Sequence, residues 1–328
     1  MLELNKIFCS GMILQANKPI NVFGTGKGSI KIELAGVTQS LVSNSEKWMI
    51  VFPEMNYGGP YNMYIRLDER SMILENIFIG DVYLISGQSN LKLKLKKTNE
   101  PHKDYITDGN VVSYTVASPE PEVFSPEDGW VTLKKEQAEN WSALGYYIGT
   151  NLSKHTNHKN GLVFCYHGAA AIQSFLPEVI ARKKSVYIEP EKRFRDCNFF
   201  WNKDGYMYNL MISAISGFRF KAVVWYQGES NVSSAESSIY ENLLTELILC
   251  YRNEFCDKNL PFVIVQLADY DERDDDNWHR IQKIQNDIQY KLPYIKTVVS
   301  RDVCETNDIH PRSKRELGKR ISIALENL

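Results

Sequence analysis

Hydrophobic and polar residues alternate along the first part of the chain, in short runs divided by glycine-containing turns. The runs Ile20–Phe23, Ile30–Leu34 and Tyr61–Leu67 have a period of two, and Gly24–Gly26 and Tyr57–Pro60 supply turn residues. This alternation is typical of strands that bury one face against a core. We therefore predict a small N-terminal β-sandwich domain over residues 1–78.

From residue 79 onward, longer apolar runs alternate with helical patterns. Strands are predicted at Val82–Ile85, Val223–Tyr226, Phe262–Leu267 and Thr297–Ser300, and helices at 236–254, from about Asn277, and from Pro311 to Leu328. Such an alternation indicates βαβ units around a parallel sheet. We predict an α/β domain over residues 79–328, docked tightly against the β-sandwich because no low-complexity linker separates the two.

Three polar segments stand where a hydrolytic site would need them. Gly87-Gln88-Ser89-Asn90 directly follows the strand Val82–Ile85, and a second strand ends in the segment Gln227-Gly228-Glu229-Ser230-Asn231. The segment Asp308-Ile309-His310-Pro311 follows the last strand. Ligands bind outside the carboxyl ends of parallel strands, so a serine, an aspartate and a histidine placed there predict a serine hydrolase.

These segments resemble the SGNH hydrolase superfamily and, within it, the sialate O-acetylesterase group of carbohydrate esterases. That group is recognised by GQSN at the nucleophile, a WYQGE(S)-type strand end and a D-x-H-P close, which here are residues 87–90, 225–230 and 308–311. Trp141–Tyr147 and Gly161–Val163 resemble a helix and a strand of the same group, so the resemblance covers nearly the whole chain. It implies a three-layer α/β/α, flavodoxin-like fold with a parallel sheet.

We assign the catalytic roles as follows. Ser89 is the nucleophile, and its own backbone N–H, near a helix start, is expected to face the developing oxyanion. His310 is the general base, and Asp308 fixes its tautomer. Asp302, at the end of the preceding strand, is the rival acid, but the D-x-H-P match favours Asp308.

The resemblance also implies two further oxyanion donors. One is the backbone amide of Gly168 in the family's second motif, here residues 167–172, and the other is the side-chain amide of Gln227 in its third motif, here the loop of residues 227–231. The family's second glycine is Ala169 here, a departure that bears on the position of the Gly168 amide because alanine adopts positive φ at a cost. We expect His167 to be a wall residue of the site. Glu229 is expected to support its loop by accepting backbone hydrogen bonds, and Gln88 and Asn90 support the nucleophile.

Composition narrows the function classes. The chain has 328 residues, 43% hydrophobic and 24% charged, with a net charge of −2. This balance is ordinary for a soluble globular protein and gives no basic field for nucleic acid. No apolar run is long enough for a membrane span. The start, Met1–Lys6, lacks a signal-peptide pattern, so we expect a cytoplasmic protein.

Neither cysteine nor histidine shows metal-ligand spacing, so we expect no metal and no cofactor. The cysteines are expected to be free thiols; they are Cys9, Cys165, Cys197, Cys250, Cys256 and Cys304. The run Leu91–Lys97 alternates leucine and lysine, which predicts either a strand edge with its lysines in solvent or a basic surface that attracts an anionic sugar. The acidic run 271–276 is predicted to be a solvated loop.

The function that fits best is removal of O-acetyl groups from a small carbohydrate through an acyl-enzyme. Sialic acids are one candidate substrate, and acetylated xylo-oligosaccharides or other plant-wall sugars are another. Two classes stay open beside it: a lipid or thioester hydrolase of the broader superfamily, and a sugar-binding relative without activity. The sequence assigns no oligomeric state.

Overall fold

The structure is a computed structural model that describes residues 2–99, 105–186, 188, 199–273 and 275–328. Its first part consists of strands: β1 (Glu3–Leu4), β2 (Ile13–Gln15), β3 (Ile20–Thr25), β4 (Gly28–Leu34), β5 (Val37–Ser43), β6 (Lys47–Phe52), β7 (Gly58–Leu67) and β8 (Arg70–Gly87). Strands β1, β3 and β6 form one antiparallel sheet. In a second sheet, antiparallel pairs join neighbouring strands in the order β5-β4-β7-β8. Buried and exposed residues alternate along β6, as the period of two predicts.

Strand β8 belongs to both parts of the molecule. Residues 70–79 of this strand pair with β7, and residues 81–87 pair with strands of the central sheet. The predicted boundary at residues 78 and 79 therefore falls inside one continuous strand. The second half of β8 is buried without interruption, as expected for a strand covered on both faces.

The rest of the chain supplies the central sheet and the helices. The remaining strands are β9 (Asp108–Thr115), β10 (Trp130–Leu133), β11 (Asn160–Tyr166), β12 (Ala222–Tyr226), β13 (Phe262–Val265) and β14 (Ile295–Val298). The helices are α1 (Ser89–Lys92), α2 (Lys135–Ala138), α3 (Ala143–His155), α4 (Glu178–Lys184), α5 (Ser234–Glu254), α6 (Asp276–Asp287) and α7 (Arg315–Glu326). Helix α3 packs on α7, whereas α5 packs on α4 and α6. The predicted helices at 236–254, near Asn277 and at the C-terminus are confirmed.

The strand order of the sheet places the site. The order is β10-β9-β11-β8-β12-β13-β14, and all neighbours are parallel except the edge pair β10 and β9. The chain builds β9 and β11 on one side of β8 and then crosses to place β12 on the other side. Strand β8 is thus the topological switch point, where ligands bind beyond the carboxyl ends of an open α/β sheet. Ser89 follows this strand end.

One local prediction is wrong. Residues 91–97 do not form a strand edge: α1 ends at Lys92, and Leu95–Lys97 form a short 3₁₀ helix. Leu91 and Leu95 are fully buried while Leu93 between them is only half-buried, so the three leucines do not share one buried face as they would in a strand.

The cysteines Cys9, Cys165, Cys250, Cys256 and Cys304 are free, as predicted, whereas Cys197 lies outside the described residues. The predicted acidic loop is a 3₁₀ turn over Asp271–Arg273, and Asp274 lies outside the described residues. No helix among the described residues is long and apolar enough to cross a membrane.

Candidate active site

The three predicted motif segments meet at one pocket of about 500 Å³. Ser89, Gly168 and His310 all line it, although each comes from a different segment of the chain. The other lining residues are Gln88, Glu120, His167, Ala169, Phe199, Trp201, Glu229, Ser230, Val232, Tyr270, Arg273, Trp278 and Ile309. A mainly apolar pocket with a few convergent polar groups is the usual form of a small-molecule site.

A glycine at the end of β8 makes the nucleophile turn possible. Gly87 has a φ of +144°, and a Cβ there would lie 2.1 Å from the carbonyl oxygen of Tyr226 on β12. The two strand ends therefore approach more closely than any side chain allows. The Gln88 N–H donates to the same Tyr226 oxygen at 2.9 Å, and Ser89 then begins α1. Backbone N–H groups of a first helical turn lack intrahelical partners, so the Ser89 amide is available to an oxyanion.

The residues on either side of Ser89 hold the loops of the pocket together. Gln88 Oε1 accepts hydrogen bonds from the backbone N–H groups of Gly228 at 3.1 Å and Ser230 at 3.4 Å. Asn90 Nδ2 donates to Glu229 Oε1 at 2.6 Å and to the Ile309 carbonyl at 3.1 Å. The supporting roles predicted for Gln88 and Asn90 thus have definite partners in the structure.

The loop of Asp308 and His310 is shaped by its own aspartate. Asp308 Oδ1 accepts the backbone N–H of His310 at 2.8 Å, and no hydrogen bond joins this carboxylate to the His310 ring in the described structure. Burial lowers the pKa of His310, while the nearby Asp308 charge raises it and Lys314 lowers it. The histidine is therefore largely neutral at pH 7, as a general base must be.

The two other acids near this loop differ sharply. Asp302 is exposed, and both of its oxygens accept hydrogen bonds from the Arg320 guanidinium, at 2.6 and 2.7 Å. It does not line the pocket. Glu229 does line it and is only 9% exposed. Its Oε1 accepts from Asn90, while its buried Oε2 has no hydrogen-bond partner among the described residues. Glu229, rather than Asp302, is thus the alternative to Asp308 as the acid partner of His310.

The second motif segment lies directly against the nucleophile. A Cβ built on Gly168 would be 3.9 Å from the Ser89 Cβ, so the glycine backbone is adjacent to the serine. Ala169 adopts a φ of +51°, a left-handed conformation that costs an alanine roughly 1 kcal/mol. Asn202 holds this strained turn: its Nδ2 donates to the Ala169 carbonyl at 2.9 Å and its Oδ1 accepts the Ala171 N–H at 2.8 Å.

Gln227 is not where an oxyanion donor would be. Its side chain is fully buried and does not line the pocket, and its Nε2 donates to the Ala170 carbonyl at 3.2 Å and to Asn231 Oδ1 at 2.7 Å. Its Oε1 accepts from the Tyr240 hydroxyl at 3.0 Å. An amide nitrogen has only two hydrogens, and both are used. This geometry disagrees with the prediction that Gln227 donates to the oxyanion. The Gln227 side chain instead holds the second motif in place through its hydrogen bond to the Ala170 carbonyl.

We therefore expect Gln227→Ala to act on stability first. Its loss removes one hydrogen-bond partner each from the Ala170 carbonyl, the Asn231 amide oxygen and the Tyr240 hydroxyl and leaves a cavity, which should lower the free energy of unfolding by about 2–4 kcal/mol. Denaturant unfolding checks this, with Gln137→Ala, an exposed glutamine in α2, as the control. A stable Gln227→Ala protein whose kcat alone falls by about 10²–10³-fold would restore the oxyanion role.

His167 forms part of the pocket wall, as predicted. It is 1% exposed, and burial lowers its pKa to about 4. Its Nδ1 lies 3.4 Å from the Ser118 hydroxyl, its Nε2 lies 3.4 Å from Glu120 Oε2, and its ring packs edge-on against Trp201. A histidine that stays neutral down to such a pH is a poor proton donor near neutrality.

The lysines after the nucleophile are compensated locally. Lys92 Nζ lies 2.7 Å from Glu122 and 3.6 Å from Glu120, and Lys94 Nζ lies 3.4 Å from Glu122. The alternative prediction, a basic surface that attracts an anionic sugar, therefore finds no unbalanced charge at these two lysines. The described lining of the pocket consists largely of aromatic rings and includes Arg273.

Sequence reasoning missed several buried polar residues that hold the site. Asn231 bonds Gln227, the Ile172 N–H, Gln173 and Glu236. Asn202 clamps the second motif, and Lys314 binds Asn90. Their only sequence signal is a polar residue beside a motif, which many surface loops share. Among the described residues, no group of three His, Cys, Asp or Glu side chains could hold a metal ion.

Comparison with known proteins shows which family this chain resembles. The family model described as "Carbohydrate esterase, sialic acid-specific acetylesterase" matches residues 79–326. A protein of Pongo abelii named sialate O-acetylesterase is 24% identical over 362 residues, covering 97% of this chain and 69% of its own length. The Homo sapiens protein of the same name is 23% identical over 365 residues, with the same coverage of 97% and 69%.

Solved structures support the fold. The chain superposes on a carbohydrate acetylesterase from Xanthomonas citri with a TM-score of 0.85 at 24% identity, covering 100% of this chain and 75% of that one. A protein from Arabidopsis thaliana gives a TM-score of 0.50 at 17% identity, covering 75% of this chain and 98% of that one. The predicted α/β architecture with a parallel sheet and an N-terminal antiparallel sheet is confirmed.

Proposed function

Because the chain belongs to the sialic acid-specific acetylesterase family of carbohydrate esterases, and is thus a carboxylic ester hydrolase, we propose that Ser89 removes O-acetyl groups through an acyl-enzyme. One observation carries this proposal: Ser89, Gly168 and His310, from three distant segments, line one pocket at the switch point of the sheet. A nucleophile, an amide donor and a base are the groups that acyl transfer requires.

The reaction follows from these positions. His310 accepts the Ser89 proton as the Oγ attacks the acetyl carbonyl carbon, and the backbone N–H groups of Ser89 and Gly168 stabilise the oxyanion. Collapse of the intermediate transfers the His310 proton to the leaving sugar oxygen and leaves acetyl on Ser89. A water then attacks this ester, with His310 again the base. The bond between the acetyl carbon and Ser89 Oγ breaks, His310 returns its proton to that oxygen, and acetate is released.

The pocket supports a sugar rather than a long acyl chain as the group recognised. Phe199, Trp201, Tyr270 and Trp278 supply flat apolar faces, and Glu120 and Arg273 supply polar atoms at the same lining. Sugar rings present both apolar faces and hydroxyl groups, so this combination fits a small acetylated carbohydrate. Acetylated sialic acid and acetylated xylo-oligosaccharide remain the two candidate substrates.

Acetate release from a substrate panel tests the proposal. The panel contains O-acetylated sialic acid, acetylated xylobiose, nitrophenyl acetate and nitrophenyl palmitate, each with and without EDTA. We expect acetate from at least one of the two sugars, a rate on nitrophenyl acetate well above that on the palmitate, and no effect of EDTA. A preference for the palmitate with no sugar deacetylated would favour the lipid hydrolase alternative.

A further inference from the structure

A lysine that the reaction does not use is buried behind the nucleophile. Lys314, the residue before α7, is 0% exposed, and its Nζ donates to Asn90 Oδ1 at 2.7 Å. The ammonium also lies 5.8 Å from the centroid of the Tyr226 ring. Desolvation of an ammonium costs several kcal/mol, and such a charge persists only with compensating groups around it. Its burial behind the Ser89 turn therefore needs a reason.

Asn90 connects Lys314 to the loops of the site through hydrogen bonds. While its Oδ1 accepts from Lys314, its Nδ2 donates to Glu229 Oε1 at 2.6 Å and to the Ile309 carbonyl at 3.1 Å. Asn90 follows Ser89 directly, and Ile309 precedes His310. One chain of hydrogen bonds thus runs from a buried cation to a buried carboxylate and fixes the serine turn and the histidine loop on the way.

We infer that Lys314 is a positioning residue of this site: acting through Asn90, its positive charge keeps the buried Glu229 carboxylate ionised and the Ser89 turn aligned with the His310 loop. The inference rests on the proposed function, because it concerns the same pocket. When Lys314 loses its proton to solvent, Glu229 is left as a buried charge without a counter-charge. The Lys314–Asn90–Glu229 network then loses its positive charge, and the alignment weakens.

The groups around Lys314 set the pH range of this switch. Burial lowers its pKa to about 8, although Cys304, Glu229, Glu305 and Asp308 act in the opposite direction. Burial also raises the pKa of the Cys304 thiol, so Cys304 is neutral near pH 7, and burial raises the pKa of Glu229. The carboxylates thus favour the charged lysine, and its proton is lost in the mildly alkaline range.

The pH dependence of kcat tests the inference. Wild type, Lys314→Met and Lys319→Met, an exposed lysine of α7, are compared between pH 6 and 10 on nitrophenyl acetate. Wild type and the control should lose activity above an apparent pKa near 8. Lys314→Met should show no such limb, with kcat at pH 7 at least about tenfold lower and KM within about twofold. A Lys314→Met protein with the wild-type kcat and alkaline limb would overturn the inference.

A double variant keeps the inference testable if Lys314→Met alone does not fold. Lys314→Met leaves Glu229 without its counter-charge, whereas Lys314→Met/Glu229→Gln removes both charges together. The melting temperature of the double variant should exceed that of Lys314→Met, and Glu229→Gln should reduce kcat far less in the Lys314→Met background than in wild type. Purely additive losses in both quantities would contradict the coupling. A wild-type protein that cleaves no ester would instead refute the proposed function, and the melting temperatures would still test the charge pair.

Discussion

Replacing Ser89 by alanine should reduce kcat/KM for nitrophenyl acetate by about 10³–10⁶-fold, the usual range for loss of a catalytic serine. The substitution removes one oxygen at the first residue of α1, where the chain direction depends on Gly87 and Gln88 rather than on the serine hydroxyl. The melting temperature should therefore remain within about two degrees of wild type. Steady-state kinetics and a thermal melt make the measurement.

Ser230 provides a matched control, because it is the other serine among the described residues that line the pocket. Ser230→Ala should keep most of the activity, since Ser230 sits in the third motif loop and its N–H, not its hydroxyl, bonds Gln88. If Ser230→Ala were the inactive variant and Ser89→Ala the active one, the nucleophile would be misassigned.

His310→Ala should lower kcat/KM nearly as far, because His310 is the base that the described lining of the pocket offers to Ser89. His167 also lines the pocket, but its depressed pKa makes it a weak base. In wild type, kcat/KM should rise with pH through an apparent pKa below 6.5, because the neutral imidazole is the active form and burial lowers the pKa of His310. A pH–rate profile checks both statements.

The acid partner can be read from the same profiles. The Asp308 charge raises the pKa of His310, so Asp308→Asn should move the acid limb to lower pH and reduce kcat by about 10²–10⁴-fold. Asp302→Asn should stay close to wild type, because Arg320 holds that carboxylate away from the pocket. If Glu229→Gln shifted the acid limb and Asp308→Asn did not, Glu229 would be the partner of His310.

The secondary structure that builds the site was accessible from the sequence because its signals are local. Alternation in the run Ile30–Leu34 reports a half-buried strand, and the apolar run Val82–Ile85 reports a strand covered on both faces. The segments ending in Ser89 and His310 follow such strands, so the topology alone brings them to one edge of the sheet.

The predictions that disagree with the structure depend on contacts that the sequence does not specify. The alternation of leucine and lysine in 91–97 suits a strand, but α1 ends at Lys92, and Leu93 is only half-buried while Leu91 and Leu95 are fully buried. Gln227 matches the family's amide residue, yet its side-chain amide is already hydrogen-bonded to Ala170, Asn231 and Tyr240. These three partners come from three different segments. Which buried polar groups pair is set by tertiary packing, where a shift of one ångström exchanges partners.

The central claim is that Ser89 forms a covalent acyl-enzyme, and mass spectrometry of a trapped adduct tests it most directly. Wild-type protein is incubated with a fluorophosphonate, and the modified residue is located by peptide mapping. We expect one adduct, on Ser89, which is absent from Ser89→Ala and forms much more slowly in His310→Ala because the base that activates the serine is lost. Modification of another serine at the wild-type rate, or an unlabelled protein that still hydrolyses acetyl esters, would contradict it.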